Sequence, residues 1–330
     1  MTKTTSLTSS AHGEKQRLPR LKRAKKDNLP PLRLTERDNA IVAALYEYKA
    51  LTTEQIATLL FTRTTLTKCD ERLRKLFHHG ITLRTEQPQS LIDGRKPLVH
   101  WLDWPGIELH AHNLGVDPTE LNWQPNRHKV GAQFLYHLLD TNAARIAIRK
   151  AAEALGTTIV DWKAEEVLRS EAKIDNANAI PDDYFLLEQP APRENRSRIL
   201  RLFIEIDRRT VTGEAKSSNL SQRDWAHKIQ AYVQYFKSEA YAKRYGSVEG
   251  KPAPCRVLTI TTGEKRAQHL CEITEKNGGK AKYWFTTLDK VSPQTILTAP
   301  ETFLTAPMWT VASWEGVYNL TDTRKQEHKE

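Results

Sequence analysis

Residues 199–207 read Ile-Leu-Arg-Leu-Phe-Ile-Glu-Ile-Asp, and a short way upstream stands Pro181-Asp182-Asp183. A run of branched and aromatic side chains without glycine or proline predicts a β-strand. Side chains of a strand alternate between its faces. Glu205 and Asp207 therefore share one face, while Ile204 and Ile206 share the other and meet a core. Pro181-Asp182-Asp183 opens a second strand, over 180–187. When the two strands pair, Asp182 approaches Glu205. Carboxylates converging at a strand end repel one another unless a cation lies between them, and oxygen-only donors suit Mg²⁺ or Mn²⁺ rather than zinc. The expected metal ligands are Asp182, Glu205 and Asp207. Such a site activates water and stabilises charge on a phosphodiester.

Outward from this strand, the chain alternates as α-β-β-β-α-β-α-β. Residues 131–155 have helical spacing, with Phe134, Leu135, Leu138, Leu139, Ala144 and Ile146 toward a core. Extended segments follow at 158–168, 180–187 and 199–207. A long helix is expected at 220–243, carrying Trp225, Ile229, Tyr232, Val233 and Phe236. A strand at 256–261, a helix at 264–276 and a strand at 283–286 complete the set. Lys228 and Tyr232 are separated by one helical turn and share a face of the long helix. Glu166, at the end of the first strand, is a further candidate for orienting a ligand. Beyond 288 the pattern is weak, although 308–318 is apolar enough to pack.

Upstream, residues 34–113 read as three helices and a hairpin. Thr35-Glu36-Arg37-Asp38 starts the first, with Ile41, Leu45 and Tyr48 at helical spacing. Thr52 and Gln55 form a capping box for the second. The third runs over 65–79, burying Leu66, Cys69, Leu73, Leu76 and Phe77, and Gly80 stops it. The strands 81–85 and 98–102 flank Asp93-Gly94-Arg95-Lys96, a favoured turn dipeptide with a basic tip. This order predicts a winged helix-turn-helix whose third helix enters the major groove. The expected DNA contacts are Arg63, Thr65, Lys68, Arg72 and Lys75 around the third helix, and Arg95 and Lys96 on the wing.

The charge agrees with a polyanionic partner. The 330 residues carry a formal net charge of +10. Residues 1–30 hold eight Lys or Arg, among them Lys22, Arg23, Lys25 and Lys26, against two acids. A basic arm of this kind attracts nucleic acid by releasing condensed counterions. With 39% apolar and 27% charged residues, packed cores are expected. No apolar run reaches the length of a membrane span and no secretory leader opens the sequence, so no membrane partner is expected. Cys69, Cys255 and Cys271 are too scattered for a disulfide framework or a zinc pattern, and the expected location is cytoplasmic.

Other motifs are discounted. His78-His79 and His110-x-His112 read as exposed helix-end histidines, and Trp101 and Trp104 as core. Gly213-Glu214-Ala215-Lys216-Ser217 lacks the spacing of a phosphate loop. No Gly-x-Ser-x-Gly elbow occurs. Tyr232 and Tyr235 lack the histidine triad that would accompany a relaxase nucleophile.

Asp182 followed by Glu-x-Asp, inside an α-β-β-β-α-β run, resembles the PD-(D/E)XK nuclease superfamily. Asp207 replaces the usual lysine, a role that superfamily members can fill from the following helix, where Lys228 stands. The whole chain resembles the replication-relaxation family of bacterial plasmids and mobile elements. The similarity lies in Leu34 to Asp38, Leu51 to Ala57, His137-Leu138-Leu139 with Asn142 and Arg145, Trp162 with Glu166, Pro181-Asp182, Phe203 to Arg208 with Thr210, and Lys228 with Tyr232. The resemblance implies a mixed α/β protein that binds double-stranded plasmid or mobile-element DNA. It implies a part in replication, relaxation or mobilisation, beside replication or conjugation proteins. The expected layout is a disordered basic arm (1–33), a winged helix (34–115), a nuclease-like domain (116–290) and a C-terminal extension (291–330). The expected activity is Mg²⁺-dependent nicking at an origin-like site through Asp182, Glu205, Asp207, Lys228 and Glu166. The alternative is a non-enzymatic initiator or transcriptional regulator whose nuclease-like domain only grips DNA or recruits partners.

Overall fold

The structure is a computed structural model that describes residues 20–25, 27, 29–61, 66–88, 96–191, 196–208 and 216–321. It opens with α1 (Glu36–Tyr48), β1 (Ala50–Thr52), α2 (Thr53–Leu60), α3 (Leu66–His78), β2 (Thr82–Thr85) and β3 (Val99–Leu102). The strands form a small antiparallel sheet in the order β1-β3-β2. Capping starts the first two helices. Asp38 accepts the Thr35 backbone N–H at 2.7 Å, and Thr52 and Gln55 exchange bonds of 3.0 and 3.1 Å. Three helices pack over Ile41, Leu45, Ile56, Cys69, Leu73 and Leu76, all nearly inaccessible. Leu66 is the exception to the expected core, standing 51% exposed on the first turn of α3.

A helix that the hydrophobic pattern did not suggest, α4 (Trp104–Leu114), follows directly. Its sequence contains Pro105 and Gly106, which read as breakers. Asp103 caps it, accepting the Trp104 N–H at 2.9 Å, and Pro105 stands in the first turn, where a missing N–H costs nothing. Gly106 is required by close approach, since a Cβ there would lie 2.3 Å from the Ile81 carbonyl oxygen.

The remainder is mixed α/β: α5 (Ala132–Leu155), β4 (Thr158–Ala164), α6 (Glu165–Ile174), β5 (Asp183–Ala191), β6 (Arg196–Asp207), α7 (Lys216–Tyr235), α8 (Glu239–Tyr245), β7 (Ser247–Val248), β8 (Lys251–Pro252), β9 (Arg256–Thr261), α9 (Glu264–Lys276), β10 (Tyr283–Thr287), α10 (Pro293–Thr298), α11 (Thr302–Thr305), β11 (Trp309–Val311) and β12 (Val317–Tyr318). Its seven-stranded sheet runs β12-β11-β10-β9-β6-β5-β4. β4, β5 and β6 pair antiparallel, whereas β6, β9 and β10 are parallel, so their carboxyl ends lie side by side. Leu202, Ile204 and Ile206 pack with the α5 core, and Phe203 packs on the other face with Trp225, Ile229 and Tyr232 of α7.

Two expected elements differ. The extended segment expected at 158–168 ends at Ala164, and Glu165 and Glu166 enter the first turn of α6. Carboxylates are favoured there by the unpaired N–H groups of a helix start. The long helix expected over 220–243 breaks after Tyr235. Ser238 caps α8 by accepting the Tyr241 N–H at 3.2 Å.

Helix α5 is shared by both parts. Its Asn142 donates to the carbonyls of Tyr48 and Ala50 at 3.0 and 2.7 Å, and Gln55 of α2 donates to the Leu139 carbonyl at 2.7 Å. Residues 20–25, expected in a disordered arm, include Arg23, which is held against the N-terminal part. It donates to the carbonyls of Phe77 and Thr82 at 3.0 and 2.9 Å and pairs with Asp103 at 2.8 Å. No helix among the described residues is long and apolar enough to cross a membrane.

Candidate active site

Four elements converge at one end of β6. Asp182 precedes β5, and its Oδ2 accepts the Ile206 backbone N–H at 2.7 Å, which ties it to the strand carrying Glu205. Its Oδ1 lies 3.2 Å from Nε2 of His137, on α5. Glu205 points to the α7 face, as does Phe203 two residues before it. There it accepts from the Lys228 ammonium and, at 2.5 Å, from the Tyr232 hydroxyl. Lys228 and Tyr232 reach one carboxylate because they are one helical turn apart. Glu205 is only 2% exposed, but the side chains of Lys228 and His137 are 30% and 34% exposed, so the group opens to solvent on one side.

Burial pushes the Glu205 carboxyl up to about 7, with the neighbouring Asp182 charge adding to the rise and Lys228 opposing it. Burial acts on Asp182 in the same direction, but the His137 hydrogen bond and the Lys228 charge outweigh it and hold this carboxyl below its usual range. The bond to Asp182 raises the His137 imidazole. Burial disfavours the Lys228 charge, yet Glu205 and Asp182 together raise its pKa. The site thus holds two acids with separated proton affinities beside two bases.

Asp207 stands apart from this group. It shares a face with Glu205, but both of its oxygens are engaged by Arg266 of α9 at 2.9 and 3.0 Å, with the Thr261 hydroxyl at 2.9 Å. The expected three-carboxylate ligand set is therefore not assembled. Among the described residues no cluster of three or more His, Cys, Asp or Glu is arranged to hold a metal. Asp182, just before β5, and Glu205, on β6, remain as two hard oxygen donors, although the Ile206 N–H, His137, Lys228 and Tyr232 engage all four of their oxygens. The donor pair fits Mg²⁺, which is commonly held by one or two carboxylates and otherwise by water and substrate phosphate.

Glu166 also leaves the expected site. It sits in the first turn of α6 and pairs with Lys49 at the end of α1. Its neighbour Glu165 is the one whose charge reaches His137 and Lys228. The next acid after Asp182 has a different task. Asp183 forms a two-bonded pair with Arg145 of α5, at 2.5 and 2.7 Å, under the Trp162 ring.

Of the expected DNA contacts, Lys68 and Lys75 are exposed on α3, as are Lys22 and Lys25. Arg72 is not available in that way. It lies on the flank of α3 that packs on α1, where Asp38, fully buried, accepts from its guanidinium, and it also donates to the Arg33 carbonyl at 2.8 Å. Arg23, pinned as described, is likewise withdrawn from a free arm. Lys96 donates to the Tyr136 hydroxyl at 3.2 Å and lies 4.8 Å from that ring's centre, with Arg208 at 4.5 Å from the same centre. Arg208 is also paired with Asp140 at 3.0 Å. Arg63, Thr65, Arg95 and Lys26 lie outside the described residues. Trp101 is buried, Trp104 is 39% exposed, and His110 is buried against Tyr46 rather than exposed.

His137 and Arg266 were not singled out for chemistry from the sequence. His137 stands in a motif quoted for family resemblance, which was the available signal. Arg266 carries none, because nothing local distinguishes it from other helix-start cations.

The model of the replication-relaxation family matches residues 42–250. The chain belongs to the replication-relaxation family. The matched span of this replication-relaxation protein runs from within α1 through the residues of the candidate site to just past β7. No curated protein matches the sequence. Two solved structures of restriction endonuclease FokI are similar, one of them bound to DNA. The first is 13% identical with a TM-score of 0.23, and the second 11% identical with a TM-score of 0.27. Each alignment covers 81% of this chain but 44% and 43% of the endonuclease chains, so the replication-relaxation protein spans less than half their length. At these scores the likeness carries no argument about activity.

Proposed function

We propose that this replication-relaxation protein binds double-stranded DNA and nicks it at an origin-like site of a plasmid or mobile element. The N-terminal part acts as a winged helix, with α3 in the major groove and the β2–β3 hairpin as the wing. Exposed Lys68 and Lys75 support that docking, as does the basic N-terminal sequence. The α/β part acts as a PD-(D/E)XK-type nuclease core. The observation that carries this reading is the meeting of Asp182, Glu205 and Lys228 at an accessible strand end.

Asp182 and Glu205 would hold Mg²⁺ or Mn²⁺, and the ion would supply charge stabilisation on the phosphodiester and a more acidic water. The chain's own groups do the rest. Tyr232 and the Ile206 N–H orient the two carboxylates. His137 holds Asp182 in place and keeps a donor at the rim. Lys228 fills the role of the lysine absent at position 207, donating to a phosphate oxygen as negative charge develops there. Asp207 with Arg266 buttresses the end of β6.

A second reading has an observation in its favour. Both acids already have cationic partners in the protein, His137 and Lys228, which suits an initiator or regulator that grips DNA without cutting it. Incubation of supercoiled plasmid carrying the cognate origin with Mg²⁺ or Mn²⁺ separates the two. Open-circle product from the wild type, lost in Asp182→Asn, supports nicking. Intact plasmid together with salt-sensitive DNA binding supports the non-enzymatic reading.

A further inference from the structure

A cavity of about 240 Å³ lies outside the candidate active site, between the end of α1, the β3 strand and the segment 123–128. Its walls include the aromatic side chains of Tyr46 and Trp123, with Trp101, only 2% exposed, beside them. Lys49 and Arg127 add two cationic side chains and His128 an imidazole. One carboxylate, Asp103, borders it, and that charge is already met by Arg23 at 2.8 Å. Lys49 is in turn met by Glu166, so the excess positive charge facing the space is that of Arg127. An aromatic and cationic lining selects a ligand that is both planar and anionic. The volume, below the roughly 300 Å³ at which small-molecule pockets usually begin, restricts it to something small.

Lys49 supplies an independent observation. Its backbone lies at φ 66° and ψ −47°, outside the left-handed helical region and unfavourable for a residue with a Cβ. Backbone strain of this kind clusters at ligand clamps, where surrounding structure holds it. Its present counter-charge, Glu166, is 61% exposed and belongs to a different element. An exposed pair of that kind contributes little and yields readily to a better-placed anion.

We propose that this cavity is a binding site for a nucleoside monophosphate, its base against Tyr46 and Trp123 and its phosphate on Lys49 and Arg127. The phosphate takes over Lys49 from Glu166, so Glu166 competes with the ligand. The site is separate from the carboxylate group at β6, and its occupancy is independent of whether that group cuts DNA.

The test is isothermal titration calorimetry of the full-length protein, without DNA, with AMP and with adenosine. One-to-one AMP binding is expected, with adenosine about tenfold weaker or more, because a charge-assisted hydrogen bond is lost. Lys49→Met and Arg127→Gln should each weaken AMP by about tenfold. Glu166→Gln should tighten it by about twofold to fivefold, as the competitor is removed. If Lys49→Met does not fold, Arg127→Gln, in an exposed segment, and Glu166→Gln decide the matter. No saturable AMP binding up to about 10 mM overturns the proposal. Equal affinity for adenosine, or an AMP affinity indifferent to these substitutions, does so too.

Discussion

Replacing Arg145 by Met removes one half of the most deeply buried ion pair of the α/β part. The Arg145 side chain is 6% exposed and that of Asp183 is not exposed at all, with bonds of 2.5 and 2.7 Å between them. Breaking a buried pair from one side strands the other charge and costs about 3–5 kcal/mol. The cost should depend on pH in a defined direction. Burial already pushes the Asp183 carboxyl up to about 6 with the guanidinium beside it. Without Arg145 it rises further, so the folded protein binds a proton that the unfolded chain releases. A carboxyl raised on folding contributes stability at low pH that is lost as pH rises above its unfolded value. The wild type has gone through most of this loss by about pH 6. The Arg145→Met protein goes on losing, at up to about 1.4 kcal/mol per pH unit. The penalty of Arg145→Met should accordingly be larger at pH 8 than at pH 6. Asp183→Asn leaves a guanidinium that cannot deprotonate, so its penalty should be the same at both pH values. The double substitution should recover a large part of either loss. Urea unfolding followed by circular dichroism at pH 6 and pH 8 measures all four proteins. A penalty for Arg145→Met that is equal at the two pH values, or a double variant no better than the singles, would refute the reasoning.

Asp182→Asn should keep the wild-type melting temperature within a few degrees and retain DNA affinity, because an amide oxygen can still accept the Ile206 N–H. Glu205→Gln should retain DNA affinity but lose stability, because one amide oxygen cannot accept from both Lys228 and Tyr232. Both should lose plasmid nicking, and nicking by either variant at the wild-type rate would exclude that carboxylate from the chemistry. Arg72→Ala should destabilise the fold by about 1–3 kcal/mol, since Asp38 is buried and left without its main donor. Lys68→Ala should instead spare the melting temperature and weaken specific DNA binding. The reverse pattern, by differential scanning fluorimetry and fluorescence anisotropy, would place Arg72 in the groove. DNA affinity should fall steeply with salt, each phosphate neutralised adding about 0.9 to the logarithmic slope. Removing residues 1–19 should flatten that slope while leaving Arg23 on Phe77, and an unchanged slope would remove the arm from the interface.

Much of the fold was legible in the residues themselves, because the information is local. The alternation along 202–207 assigns Ile204 and Ile206 to one face and Glu205 to the other, whatever lies beyond the sheet. Thr35 with Asp38, and Thr52 with Gln55, announce two helix starts because a capping box is complete within four residues. Helical periodicity put Lys228 and Tyr232 on one face, and the place of Lys228 beside the acids was implied by the resemblance to PD-(D/E)XK nucleases. By contrast, α4 was hidden behind Pro105 and Gly106. The reason that Gly106 is tolerated, a carbonyl of Ile81 pressed against it, is a contact between segments.

The pairing of charges is what only tertiary structure decided. Asp207 and Glu205 are chemically alike and lie on one strand face, yet one is held by Arg266 and the other by Lys228. Glu165 and Glu166 are neighbours, yet one is paired with Arg169 in its own helix and the other is held by Lys49 from a different part of the chain. Arg72 and Lys68 belong to the same basic helix, yet Asp38 withdraws only Arg72. A carboxylate attracts any cation, and attraction of this kind carries no sequence distance. The partner is chosen by which elements the hydrophobic cores bring together, and by how much water is left between the two charges once they have done so.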